Sequence, residues 1–351
     1  MTRLLHLASL GAAAILLLFG TGCPSPCALP IPNPEKLSFY MVNVGQGDAA
    51  FLLAPNGDRM LIDAGEPEPA QSSLLPVLSE ILGEPEPFDV VIATHFHYDH
   101  VGGMQVLADE GWLSTSTVFY DPGEQGEANF GVYHGYTSAT CGEECRFTPE
   151  PEEIIPFGGD AITVTVLAAD GKIYPGGYSL DSSTNGRSIA VMISWGEFDL
   201  YTGGDLTTDV AEPLAGRGLM AGTDVYRAHH HGSNDGNTLT ILDALSPQAV
   251  LVSLGNSRSC GPGYNRYGHP RQGFLNALRA VRPLPVLYQT ETGGRAVDSD
   301  TFCEVQDWDR DRRDYGDLSV VKEAGHVLVQ TNGSTFSISP ECGERREFTA
   351  R

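Results

Sequence analysis

The sequence predicts an α/β domain built on many strands. Three observations predict it: short β-rich runs recur along most of the chain, helical patterns stand between them, and 351 residues lie near the upper limit of one hydrophobic core. No internal repeat divides the chain, so a single domain is expected.

The elements follow in order. Residues 1–22 open with Arg3, continue as an apolar run through Leu18, and end in the small residues Gly20, Thr21 and Gly22 ahead of Cys23. This is the shape of an export signal, and its apolar run is shorter than the roughly 20 residues that a spanning helix needs. Small residues directly before a cysteine resemble a bacterial lipoprotein signal. That implies cleavage before Cys23, a lipid on Cys23 as the membrane anchor, and a cell-envelope location facing the periplasm or the surface, or secretion if no lipid is added. Residues 23–35 are rich in proline and read as a tether. The folded domain is expected over 36–340, with 341–351 as a C-terminal tail. Inside the domain, strands are predicted at 37–44, 49–54, 59–62, 90–93, 161–167, 188–195 and 198–202. Helices are predicted at 72–82, 103–109, 239–245 and 270–281, the last with Pro270 at its start.

Two segments break this rhythm. Residues 121–160 are rich in Gly, Pro and Glu and read as a surface insertion pinned by a disulfide, since Cys141 and Cys145 stand close enough to bridge. Residues 298–317 interleave Asp307, Asp309, Asp311 and Asp314 with Arg310, Arg312 and Arg313; without the glycine of a calcium loop, they read as a solvated, self-paired loop. Setting Cys23 aside leaves six of the seven cysteines, an even number suited to disulfides in an oxidising compartment, and the sequence does not choose their pairing.

The formal charge is −24, and loss of Arg3 with the signal takes it to −25. Such a surface repels polyanions at long range and counts against a general nucleic-acid binder.

The chemistry concentrates in Thr94-His95-Phe96-His97-Tyr98-Asp99-His100-Val101-Gly102-Gly103, which follows the apolar run 90–93. Three imidazoles and a carboxylate occupy six positions. A loop leaving a buried strand can turn His95 and His97 toward one cation and Asp99 and His100 toward another, because all four are good ligands for zinc-like ions.

This segment resembles the HxHxDH signature of the metallo-β-lactamase superfamily, which implies a four-layer α/β/β/α fold with the site at the sheet edges. Further segments are similar to the ComEC-like branch, the hydrolase domain of competence proteins. They are Val44-Gly45-Gln46-Gly47-Asp48-Ala49, Leu61-Ile62-Asp63-Ala64-Gly65, Tyr201-Thr202-Gly203-Gly204-Asp205, Arg227-Ala228-His229-His230-His231-Gly232-Ser233, Ser253-Leu254-Gly255-Asn256 and Asn265-Arg266-Tyr267-Gly268-His269-Pro270. The resemblance implies Asp205 as the carboxylate between two metals, with Asp63 and Asp48 as supporting acids. It also implies a further ligand among His229, His230 and His231, with His230 and His231 favoured. His269 would reach into the site. Many superfamily members place one more ligand histidine before the bridging aspartate. Here only His134 stands in that interval, and Asn185-Gly186-Arg187-Ser188 occupies the corresponding strand, so water or Asn185 would complete the His95 and His97 side and one or two ions would bind.

The expected function is metal-dependent hydrolysis with zinc or manganese, in which the cation makes a water nucleophilic at neutral pH. Asp99 would orient the nucleophile, and His231 or His269 would assist the leaving group. The ComEC-like resemblance implies a phosphodiester substrate: DNA, a nucleotide, or a cell-envelope phosphoester. No protein partner is predicted. Two other readings remain open at this point: a carbonyl hydrolase acting on a lactone, thioester or β-lactam, and a non-catalytic, metal-containing surface binding protein.

Overall fold

Alternation decides the layers. In the strand Arg59–Ala64, Met60 and Ile62 enter one apolar cluster and Leu61 another; in Val90–Ile92, Val90 and Ile92 enter the first and Val91 the second. Neighbouring side chains of a strand face opposite ways, so strands apolar on both faces must be covered on both sides. The computed structural model describes residues 27–123, 130–174, 177–178, 181–255, 268–293 and 313–351.

Among the described residues one sheet has nine strands, in the order Arg346–Thr349, Thr335–Pro340, Val327–Thr331, Leu37–Met41, Ala49–Leu53, Arg59–Ala64, Val90–Ile92, Val118–Tyr120 and Arg146–Phe147. The other runs through Ile162–Ala169, Ala190–Trp195, Phe198–Thr202, Val225–Arg227, Ala249–Val252, Val286–Gln289 and Ser319–Val321, with short strands beyond Ile162–Ala169. Phe39, Ile62 and Ile92 of the first sheet share one buried cluster with Val164, Val191 and Leu200 of the second, so the two sheets pack face to face. Helices Leu75–Leu82 and Met104–Asp109 place Leu78, Met104 and Leu107 on the outer face of the first sheet. Helices Thr208–Ala215, Leu239–Leu245 and Gln272–Ala280 place Leu214, Ile241 and Leu278 against Tyr226 and Val250 of the second. The result is the expected helix, sheet, sheet, helix order.

Both sheets have parallel centres. Arg59–Ala64, Val90–Ile92 and Val118–Tyr120 run together in one, and Phe198–Thr202, Val225–Arg227, Ala249–Val252 and Val286–Gln289 in the other. In such sheets the loops leaving the carboxyl ends are the natural place for a site.

Three expectations change. The insertion at 121–160 is not irregular throughout: it carries helix Phe130–Ser138, and Arg146–Phe147 extends the first sheet. Its anchor is Asp121, which accepts from Arg146 Nε at 2.7 Å and from the Tyr136 hydroxyl at 3.0 Å, and its cysteines Cys141 and Cys145 form a disulfide. Residues 341–351 are not a tail, because Arg346–Thr349 pairs with Thr335–Pro340 and Phe348 stacks on Phe336 with ring centroids 4.7 Å apart. The tether is free over only part of its expected length at most: Cys27 is bonded to Cys342, and the Ala28 N–H donates to the Glu341 carbonyl at 3.2 Å. The signal, Cys23, Cys260, Cys303 and most of the acidic loop 298–317 lie outside the described residues. No helix among the described residues is long and apolar enough to cross a membrane.

Candidate metal centre

Asp63 is the penultimate residue of the strand Arg59–Ala64 and is fully buried. Its Oδ1 accepts from the Thr94 N–H at 2.8 Å; its Oδ2 accepts from the Thr94 hydroxyl at 2.7 Å and from His100 Nδ1 at 2.8 Å. These bonds set the loop after Val90–Ile92 and leave His100 Nε2 as the nitrogen that faces the site. A carboxylate behind an imidazole in this way orients it and raises its basicity toward a cation. Asp99 and His100 sit in the one-turn helix Tyr98–Val101, while His95 and His97 lie on the loop before it, with His95 Nε2 and His97 Nδ1 3.0 Å apart.

The other half comes from the second sheet. Gly203 and Gly204 leave the strand Phe198–Thr202 and bring Asp205 across to the histidines. Gly204 has φ of +52°, and a Cβ there would stand 2.6 Å from Thr94 Oγ1, so this crossing admits only glycine. Asp205 Oδ1 lies 3.3 Å from His100 Nε2 and 3.7 Å from His231 Nε2; its Oδ2 lies 3.7 Å from both His95 Nε2 and His230 Nε2. One carboxylate thus spans both halves.

Past the strand Val225–Arg227, His230 and His231 adopt φ of +47° and +53°. Left-handed backbone at a non-glycine residue costs about 1–3 kcal/mol and persists where its surroundings over-determine it. The turn sends the three adjacent imidazoles to different places. His229 is buried behind the site, with Nδ1 donating to the Gly236 carbonyl at 2.8 Å and Nε2 accepting from the Tyr201 hydroxyl at 3.2 Å. His230 reaches Asp205. His231 donates from Nδ1 to the Ser253 carbonyl at 3.0 Å, which turns Nε2 toward Asp99 Oδ2, 3.3 Å away.

Two groups converge with their ligand atoms within 4.8 Å of one another: His95, His97 and Asp205, and Asp99, His100 and His231. A third grouping adds Asp48 to His100 and Asp205. Asp48 is a weaker candidate, because its Oδ1 pairs with the fully buried Arg227 at 2.8 Å and its Oδ2 faces His100 only on the Nδ1 side already held by Asp63, at 3.9 Å. His100 Nε2, His231 Nε2 and Asp205 Oδ1 are buried and make no hydrogen bond among the described residues. Burying such groups unsatisfied is costly, and a divalent cation satisfies all three at once, so the residues fit a metal. The electrostatics mark the protons that a cation would displace. Burial alone would push Asp205 up and His100 down, but the charges of His100, His230 and His231 hold Asp205 well below the carboxylate range, and those of Asp205 and Asp63 hold His100 well above the imidazole range. His231, drawn the same way against its burial by Asp205 and Asp99, rises to about 9. Burial and the charge of His100 push His95 down, keeping its ring neutral as a ligand must be.

The sequence model described as the metallo-beta-lactamase superfamily matches residues 43–118, the stretch that holds Asp48, Asp63 and the His95–His100 loop. This stretch of the chain is therefore similar to that superfamily. A curated relative, Competence protein ComA of Neisseria gonorrhoeae, is 26% identical over 268 residues, which is 76% of this chain and 33% of that protein. The chain therefore spans about a third of the length of the relative it matches. Among solved structures, the metallo-β-lactamase fold protein YhfI of Bacillus subtilis is 15% identical with a TM-score of 0.42, covering 71% of this chain and 95% of that one. CmlA, a diiron β-hydroxylase of Streptomyces venezuelae, is 16% identical with a TM-score of 0.39, covering 70% and 48%.

The residues expected at the site divide into three sets. His95, His97, Asp99, His100, Asp205 and His231 converge as candidate ligands; His230 touches Asp205 but falls outside those groups; Asp63 and Asp48 stand behind them. His269 faces the same cavity, its ring 5.9 Å from that of His231 and 5.6 Å from that of His230. His229 is removed from the chemistry, since both ring nitrogens are engaged behind the site. Asn185 lies on the segment whose Ile189 N–H donates to the Thr94 carbonyl at 2.9 Å, and its Oδ1 is buried with no hydrogen bond among the described residues. His134 is exposed on the insertion helix. The cavity in front of these residues measures about 370 Å³. Sequence reasoning placed Thr94, Arg227 and Ser253 within the site's motifs but gave none of them a role as a support. A charged residue ending the otherwise apolar run Val225–Arg227 was the available signal for one of them.

Proposed function

We propose that this chain is an exported metal-dependent hydrolase that cleaves phosphodiesters. The observation that carries the reading is Asp205, whose two oxygens face different ligand groups, one with His95 and His97 and the other with His100 and His231. A carboxylate so placed suits two neighbouring cations, and such pairs clamp both the attacking and the leaving oxygen of a displacement at phosphorus. Zinc or manganese suits the donor set, and when bound it makes a water acidic and offsets the charge that develops at phosphorus.

The chain supplies the rest. Asp99 lines the cavity with Oδ2 near His231, where it orients the attacking water and accepts its proton. His269 is on the same cavity wall, where burial and the charge of His231 hold its ring neutral, and it is placed to hydrogen-bond the leaving oxygen. Asp63, Thr94 and the Ser253 carbonyl hold His100 and His231 in the orientation these steps need. The phosphodiester itself draws support from the likeness to a competence protein. A cavity of about 370 Å³ takes a phosphoryl group with a substituent the size of a nucleoside. Export draws support from the signal-like start and from two disulfides, Cys27–Cys342 and Cys141–Cys145, which persist in oxidising compartments. A lipid on Cys23 would hold the enzyme at the membrane.

The test is hydrolysis of bis-p-nitrophenyl phosphate by the zinc- or manganese-loaded chain beside Asp99→Ala, with bound metal measured by elemental analysis. Cleavage by the parent and at least about 10²-fold slower cleavage by the variant is the expected result. Bound metal with an intact diester, together with turnover of a lactone or β-lactam, would replace this reading with a carbonyl hydrolase.

A further inference from the structure

Gln46 lines the cavity beside His97, Asp99, His231 and His269, yet it is only 3% exposed, and neither its Nε2 nor its Oε1 makes a hydrogen bond among the described residues. An amide buried without partners is costly, and a methionine of the same length would occupy the position without that cost. The backbone gives the amide little freedom to find partners elsewhere. The Asp48 N–H donates to the Asp99 carbonyl at 3.0 Å, and the Ser253 hydroxyl donates to the Gly47 carbonyl at 2.7 Å. From the far side Gly255 approaches so closely that a Cβ there would stand 2.4 Å from Gln46 N. The loop is therefore held by both sheets, and its amide is presented beside the candidate ligands.

The other polar side chains that line the cavity among the described residues are imidazoles, carboxylates and the phenol of Tyr98, with no lysine or arginine among them. The neutral N–H donor of Gln46 is thus suited to an anionic oxygen that the cations do not take. We infer that Gln46 binds substrate, its Nε2 donating to a nonbridging oxygen of the phosphoryl group, an assignment that rests on the phosphodiester reading.

Gln46→Met and Gln46→Glu test it in the metal-loaded chain. For bis-p-nitrophenyl phosphate, KM should rise about tenfold in Gln46→Met, the loss of one charge-assisted hydrogen bond, and further in Gln46→Glu, which sets a carboxylate against the anion. The change in kcat should stay within about twofold, metal content should not change, and the metal-free Gln46→Met protein should melt at or above the parent's temperature because an unsatisfied amide is gone. Binding of inorganic phosphate, followed by calorimetry, should weaken in the same order. This arm scores Gln46 even if the parent cleaves no diester, which would sink the proposed function by itself. Unchanged KM and phosphate affinity in both variants would overturn the assignment, as would a Gln46→Met protein that loses several degrees of stability and its metal together.

Discussion

Buried carboxylates stand at both ends of the second sheet's parallel strands, and they are treated differently. At the carboxyl end Asp205 lies among His95, His100, His230 and His231, and the neighbouring Asp48 and Asp63 meet Arg227 and His100. At the amino end Asp224, just before the strand Val225–Arg227, accepts from Gln248 Nε2 at 2.7 Å and from the Asp199 N–H at 3.2 Å, with its nearest cation, Arg351 Nε, 4.0 Å away. Desolvation therefore prevails there, and the Asp224 pKa is pushed up to about 6. The lesson is that burial by itself raises a carboxylate. Asp205 stays ionised because His100, His230 and His231 are gathered around it, the same electrostatic environment that lets a metal replace protons.

The sharpest way to break this comparison is Asp205→Ala. It removes an oxygen from both ligand groups, so elemental analysis should find at most one ion per chain and diester turnover should fall on the order of 10³-fold or more. Two ions and an undiminished rate would mean that the two halves do not depend on the shared carboxylate.

A smaller effect is expected from Asp63→Ala, which leaves His100 Nδ1 and Thr94 without their acceptor while all the proposed ligands stay in place. Competition with a chromogenic chelator should show about 10- to 100-fold weaker metal binding. Affinity equal to the parent's would show that the helix Tyr98–Val101 orients His100 without help.

The smallest effect belongs to the far end. A raised pKa means that the folded chain holds the Asp224 proton more tightly than the unfolded chain, whose aspartates titrate near 4. The stability contributed by this group is whole below about pH 4 and is lost as pH rises to about 6, the folded value. Asp224→Asn cannot ionise, so its stability relative to the parent should climb by about 2 kcal/mol between those pH values, as read from urea unfolding with chelator present. A constant gap between the two proteins would show that Asp224 is not buried in its charged form.

Much of this was legible in the chain itself. The strands Phe198–Thr202 and Arg59–Ala64 and the helix Leu239–Leu245 announce themselves by period, and His95, His97, Asp99 and His100 by their density behind a buried strand. The helix Phe130–Ser138 escaped because Gly131, Gly135 and the surrounding polar residues blur its period; it holds its place through Tyr133 and Tyr136, which pack on Phe96 at 5.0 and 5.1 Å between centroids. The edge strand Arg346–Thr349 escaped because its alternation is short and charged, and only Phe336 across the ladder shows which face is apolar. Among the three adjacent histidines, no local rule separates His229 from His231.

What the sequence determined by itself was the set of groups and their local geometry: which strands are apolar on both faces, and which loop carries two imidazoles, a carboxylate and a third imidazole within six positions. What the tertiary structure decided was the partner of each nitrogen. His229 Nδ1 meets the Gly236 carbonyl, His231 Nδ1 meets the Ser253 carbonyl, and His100 Nδ1 meets Asp63, from a residue 37 positions away. An imidazole's role depends on which nitrogen is left with a lone pair facing the site, and that is settled by contacts between two sheets whose strands are distant in the chain.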